Sequence, residues 1–329
     1  MINDRSQWEM VERAALTIAR CDWSIVEQDT FRELLWQFIR SALRLREPPR
    51  LAHYTTLSGL QGIVRSGVIL ANNTNNQTDE TELEFSRHAI CRGVLSAPQI
   101  HRRDDFRKVI VAQMGDPPLD IHAFAASFSG DDDLATQWCD YGDRGRGYAI
   151  TIDPEQVNPK MKVMALQVVY DRGEQDGITH NLISSLEEAI YRTLQTTAAV
   201  DQQKWNDFLG DVIAMLHIPL AQAFKSDDYQ SENEWRYVYL EFDGQAHAKL
   251  PIVGTDRASR RAIQLAAAHT RSPIIGVRCG PRTSDHEVSS TRALLAEAGL
   301  ADVMVYRSRH HASELCDFKS KCRNKALVD

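Results

Sequence analysis

No stretch of this 329-residue chain is apolar for long enough to cross a bilayer. Its first ten residues, MINDRSQWEM, lack both the basic and the apolar region of an export signal. Positive charge is in deficit, with 38 Lys and Arg against 45 Asp and Glu and a net charge of −7. A diffuse grip on DNA or RNA needs a positive surface that displaces counterions, so it is not expected here, although a local basic patch stays open. Cysteine is scarce. Cys21, Cys91, Cys139, Cys279, Cys316 and Cys322, in a chain without an export signal, read as reduced thiols rather than a disulfide framework. Together these absences predict a cytoplasmic protein with no membrane association. Also missing are internal repeats, low-complexity tracts, a P-loop, a Rossmann fingerprint and a G-x-S-x-G elbow.

What is present is an ordinary globular composition, 43% hydrophobic and 25% charged, with mean hydropathy −0.38. That suffices for a substantial core. Residues 5–46 carry a helical pattern. Its second half opens on a Thr30-x-x-Glu33 capping box and continues with an apolar stripe of Phe31, Leu34, Leu35, Phe38, Ile39 and Ala42. Pro48-Pro49 ends it. We therefore expect an N-terminal helical extension over 1–47 and a single α+β domain over 48–329 with a helical insert at about 178–225. Strands are predicted at 51–54, 68–71, 123–128, 148–153, 163–170, 235–242, 274–279 and 303–307 from alternation and β-branched content. Helices are predicted at 58–66, 82–95, 103–114, 256–270 and 286–298. This order has no regular βαβ alternation, which favours α+β over a doubly wound fold.

Polar and aromatic residues interrupt the strand-like segments in four places. His53-Tyr54-Thr55 ends the first strand: His53 either bonds a ligand hydroxyl or is a structural histidine satisfied by the chain. Ser127-Phe128-Ser129 places two serines on one strand face. Trp138, Tyr141 and the glycines at 142, 145 and 147 form a loop before a strand, with the aromatics either stacking on a ligand ring or anchoring the loop. Glu232-Asn233-Glu234-Trp235-Arg236 puts two glutamates on one side of an extended chain. Paired carboxylates serve steps with oxocarbenium-like transition states; the plainer reading is an ion-pair network with Arg236 or Lys225. His310, His311, Cys316 and Cys322 match no common zinc spacing, so no metal is expected.

In combination these motifs resemble a bacterial family known only as domain of unknown function 2971. The resemblance rests on His53-Tyr54-Thr55, Thr78 to Glu82, Phe128-Ser129, Trp138 to Gly147, Glu232 to Arg236 and Ile275 to Pro281, with Ser308 also fitting. Thr78 stands where the family usually has Asn. That family is similar to the ADP-ribosyltransferase superfamily, which implies split mixed or antiparallel sheets around a cleft and NAD as substrate. On that resemblance Glu234, Glu232 and His53 are the catalytic set. His53 would bond the adenosine ribose, Glu234 the nicotinamide ribose, and Glu232 would orient the acceptor. Tyr54 and Thr55 would border the nicotinamide, with Ser127, Ser129, Trp138, Tyr141 and Arg236 completing the NAD site. The Ser127 to Ser129 segment resembles the S-x-S strand of the arginine-modifying branch, which begins with Arg where this chain has His53. The resemblance implies transfer of ADP-ribose to an acceptor (protein, nucleic acid or small molecule) by a toxin, effector or phage-defence enzyme with an antitoxin or a second copy as partner. The alternatives are an NAD glycohydrolase and a non-enzymatic nucleotide- or partner-binding module.

Overall fold

Apolar alternation and helix caps translate into the following elements in a computed structural model. It describes residues 47–74, 80–98, 107–108, 111–112, 121–157, 163–196, 217–242, 252–253, 260–264, 272–313 and 315, with Ser41 and Leu43. β1 (Leu51–Thr55) passes through α1 (Leu57–Ser66) into β2 (Val68–Asn73). α2 (Glu80–Ser96) precedes β3 (Ile121–Ser129), α3 (Ala135–Asp140), β4 (Tyr148–Ile152), β5 (Met164–Gln167) and α4 (Arg172–Thr196). Residues 217–223 are helical, and a 3-10 turn, Asp227–Glu232, introduces β6 (Glu234–Phe242). β7 (Ile252–Val253), β8 (Arg260–Gln264), β9 (Ile274–Cys279), α5 (Asp285–Glu297) and β10 (Met304–Arg307) follow.

The protein is α+β. Its strands form a ten-stranded sheet in the order β10-β9-β4-β1-β3-β2-β8-β7, with β6 also on β3 and β5 on β6. The pairs are antiparallel except β9–β10. β3 decides the architecture. One of its edges is filled along its whole length by β6, from Ile121↔Phe242 to Ser129↔Glu234. The other edge is shared: β1 takes only Ser129, through Ala52, while β2 takes Phe124 and Ala125. Opposite Ala126 to Phe128 the sheet therefore opens into a wedge between β1 and β2.

The connection that spreads β1 from β2 is locally encoded. Thr56 caps α1 by accepting the Gly59 N–H, Leu60, Ile63 and Val64 form its buried face, and Gly67 closes it in the left-handed region at φ 65°. α1 and α5 bury that face and Val288 and Leu295 against Leu51, Ile150, Ile152 and Val277 in the main core. A second, smaller cluster joins Ala52, Tyr54 and Ala149 to Trp138, Cys139 and Leu315. Among the described residues no helix is long and apolar enough to cross a membrane.

Three sequence expectations change. The helix expected over 256–270 is, where described, strand β8: Ile263 pairs with Ile69 and Ala262 with Leu70 on the edge of β2. Sheet pairing there outweighs the helix-forming composition. The insert starts earlier than 178, since α4 begins at Arg172, and Phe224 closes it with an isolated bridge to Val169 just past β5. The two glutamates are also not presented by strand alternation. Glu232 ends the 3-10 turn, Asn233 is left-handed at φ 45°, and only Glu234 lies on β6. The extension over 1–47, apart from Ser41, Leu43 and Glu47, and most of the helix expected over 103–114, lie outside the described residues.

Candidate active site

A cleft of about 170 Å³ occupies the wedge. It is lined by Ala52, His53 and Tyr54 of β1, Leu70 and Asn72 of β2, Ala126, Ser127 and Phe128 of β3, and by Gln137, Tyr141, Glu232 and Glu234. Six of the residues singled out in the sequence thus meet at one place: His53, Tyr54, Ser127, Tyr141, Glu232 and Glu234. A larger open groove, about 650 Å³, lies over Ala52, Thr151 and Gly276 and is lined by Asp131, Asp132, Arg278 and Tyr306. None of the predicted site residues lines it.

His53 bridges the wedge. Its Nδ1 donates to the Ser127 carbonyl at 3.0 Å, supplying a link where no backbone pair is made, and its ring packs on Phe128 with centroids 5.5 Å apart. A carbonyl only accepts, so Nδ1 carries the proton. Burial pushes the pKa below the ordinary histidine value, against the opposing effect of the Ser127 bond. The ring is therefore neutral near pH 7 and its Nε2 is an acceptor.

Glu234 is 4% exposed and held from several sides. Arg236 donates Nε to Oε1 at 2.8 Å and Nη2 to Oε2 at 3.0 Å, a fork-to-fork pair, and Lys225 Nζ reaches Oε2 at 3.1 Å. Burial alone would raise its pKa. The Arg236 charge and hydrogen bonds, then Lys225 and the Ser127 hydroxyl, more than offset this and hold it down at about 2. Lys225 also donates to Glu232 Oε2 at 2.6 Å, so one ammonium joins the two carboxylates. Arg236 Nη1 is fixed on the Gln222 carbonyl at 3.1 Å, and the Glu234 N–H donates to the Tyr170 hydroxyl at 3.0 Å. Two carboxylates and two cations thus form a charge-balanced quartet in the cleft wall.

The remaining predicted residues support the site from behind. Trp138 is fully buried, with Nε1 donating to Asp133 Oδ1 at 2.9 Å and its ring edge-on to Tyr54, so it anchors the loop and does not line the cleft. Ser129 donates to the Glu232 carbonyl at 2.9 Å and fixes the turn rather than facing a ligand. Thr55 ends β1, where its carbonyl lies 2.3 Å from where a Cβ on Gly147 would stand; glycine there permits the loop to close on β1. The Tyr54 hydroxyl donates to the Asp131 carbonyl at 3.0 Å and accepts from the Leu134 N–H at 2.8 Å. Ser308 belongs to the same scaffold, donating to Asp133 at 2.6 Å. Burial disfavours the Asp133 carboxylate, yet bonds from Ser308, Arg309 and Trp138 and the Arg278 charge keep its pKa below the usual range.

Sequence reasoning missed Gln137, Asn72 and Leu70 in the lining, and Tyr170 and Gln222 behind it. Gln137 lies one residue before the tryptophan that drew attention; the others come from elements distant in sequence. Among the described residues no group of three or more His, Cys, Asp and Glu is placed to hold a metal ion. Cys316 and Cys322 lie outside the described residues. No curated protein and no solved structure matches this chain. Residues 137–237, from Gln137 through the Glu232 to Arg236 segment, match the family described as "Protein of unknown function (DUF2971)", which supports the resemblance to that family drawn from the motifs.

Proposed function

We propose that this protein cleaves the nicotinamide–ribose bond of NAD and passes ADP-ribose to an acceptor or to water. What carries the reading is the convergence of His53, Tyr54, Ser127, Tyr141, Glu232 and Glu234 on one cleft where the sheet splits. The cleft is smaller than the roughly 300–1,000 Å³ of a site that engulfs a whole drug-sized ligand. It takes the nicotinamide and its ribose, with the rest of the dinucleotide reaching outward past His53, whose Nε2 accepts from a ribose hydroxyl.

In this mechanism the C–N bond to nicotinamide breaks and its electron pair stays on the ring nitrogen. Positive charge develops on the anomeric carbon and ring oxygen, and Glu234, ionised at any working pH, stabilises it in a water-poor wall. The acceptor oxygen or nitrogen then bonds to the anomeric carbon and its proton passes to Glu232. Arg236 and Lys225 hold the carboxylates in place.

One observation favours a second reading. Both Glu234 oxygens are already engaged by Arg236 and Lys225, and the four charges cancel, which suits a module that binds a nucleotide without cleaving it. Calorimetric titration with NAD, with free nicotinamide assayed in the same samples, separates the two. For the enzyme we expect wild type to bind and release nicotinamide, His53→Ala to bind weakly, and Glu234→Gln to bind but turn over on the order of 10²–10³-fold more slowly, with circular dichroism checking the fold. Binding without release would establish the module. Wild-type turnover in a folded Glu234→Gln protein would remove Glu234 from the mechanism.

A further inference from the structure

Gln137, the third residue of α3, lines the cleft and is only 7% exposed. Its backbone carbonyl accepts from the Tyr141 and Gly142 N–H groups. Its side-chain amide, by contrast, makes no hydrogen bond among the described residues. The amide is not sealed from solvent: its donors and acceptor reach the cleft, where a ligand that displaces water must replace those hydrogen bonds. The polar side chains around it are satisfied within the protein: Glu234, Arg236, Lys225 and Ser129 are all paired. An unpaired amide at the wall of a cavity is a recognition group awaiting its complement.

We propose that Gln137 reads the ligand of this cleft by pairing with a planar carboxamide, its N–H donating to the ligand oxygen and its oxygen accepting from the ligand N–H. This deepens the NAD reading and rests on it: the carboxamide is that of the nicotinamide ring. The geometry of the neighbours fits a flat group. Phe128 and Tyr54 supply aromatic walls, Tyr141 is half exposed at the lining, and the Glu232–Lys225–Glu234 side of the cleft stays available for ribose hydroxyls. A carboxylate in place of the carboxamide would offer acceptors only, so it would meet the glutamine oxygen with repulsion.

The test compares NAD with its analogue bearing nicotinic acid in place of nicotinamide, titrated calorimetrically into wild type, Gln137→Leu and the near-isosteric Gln137→Met, with melting curves for each protein alone. We expect wild type to prefer NAD by roughly ten- to a hundredfold. Both variants should lose about that factor for NAD, bind the two ligands alike, and melt close to the wild-type temperature, because no hydrogen bond of the side chain to the protein is removed. A merely structural glutamine would instead lower the melting temperature of both variants, and that result overturns the proposal. Wild-type affinity and discrimination in folded variants overturn it while leaving NAD as the ligand. A wild type that binds no NAD overturns both.

Discussion

Two buried ion clusters in this molecule are alike in burial and pairing yet differ in consequence. Against α4, Arg107 grips Glu187 fork to fork, Nε to Oε1 at 2.9 Å and Nη2 to Oε2 at 3.3 Å, with each side chain 6% exposed. In the cleft wall Arg236 grips Glu234 in the same way, again with 6% of each side chain exposed. The remaining donors of Arg107 close on the carbonyls of Ala97 and Pro98 just after α2, so that cluster ends in its own scaffold. The Glu234 pair continues through Lys225 to Glu232 and borders a cavity that also holds an unpaired amide. Burial and pairing therefore do not identify a site. A second carboxylate on a shared cation, beside a cavity whose polar groups are incompletely satisfied, does distinguish the two.

The largest effect that would sharpen this contrast is expected at Arg107. Arg107→Met strands the Glu187 carboxylate, and urea denaturation should report a loss of about 3–5 kcal/mol, with nicotinamide release per folded molecule unchanged. A slower release at full folding would mean that the two clusters are coupled, and the comparison would break.

Acid should separate them next. His217, 6% exposed, has neither ring nitrogen hydrogen-bonded; burial first, and the Arg87 charge second, push its pKa down to about 4. The unfolded chain then binds a proton that the folded one refuses, so stability declines as pH falls from about 6.5 to about 4, by roughly 3 kcal/mol in all. Glu234 has the opposite charge type and the same direction. Its stabilising ion pairs are intact above about pH 4.5 and are lost as pH falls toward about 2. Denaturation curves across pH should show the first window vanish in His217→Leu and the second remain. A His217→Leu protein with the wild-type decline between pH 6.5 and 4 would refute that assignment.

The smallest effect concerns the bridge that only the cleft cluster has. In Lys225→Met the two carboxylates face each other without the ammonium, so one should hold its proton to higher pH. The acid limb of the pH–rate profile for nicotinamide release should move up by about one unit. An unmoved limb would show that Lys225 does not set the charge state of the pair.

Legibility varied with the range of the forces involved. α1 was readable because its signals, a Thr cap, an apolar face and a terminal glycine, act within a few residues. β3 and β6 were readable from alternation, and they pair over their full lengths. R-R-A-I-Q was misread as helix because its strand state exists only through the edge of β2. The glutamate pair was found for the wrong reason, since Asn233 takes a left-handed conformation that breaks the alternation and Lys225 then draws the carboxylates together. Trp138 was picked out as an aromatic that either stacks on a ligand ring or anchors its loop, and the second holds, while its neighbour Gln137 drew no notice, because an amide in a sequence carries no sign of whether it will be paired.

By itself the sequence determined the element types with local signals, the charge deficit, and the set of unusual residues from which the site is drawn, because each of these depends on side-chain chemistry or on contacts a few positions apart. Only the tertiary structure decided which of those residues face one another. The wedge exists because β6 fills one edge of β3 while β1 and β2 share the other, and that competition for backbone hydrogen bonds is settled between segments far apart in the sequence.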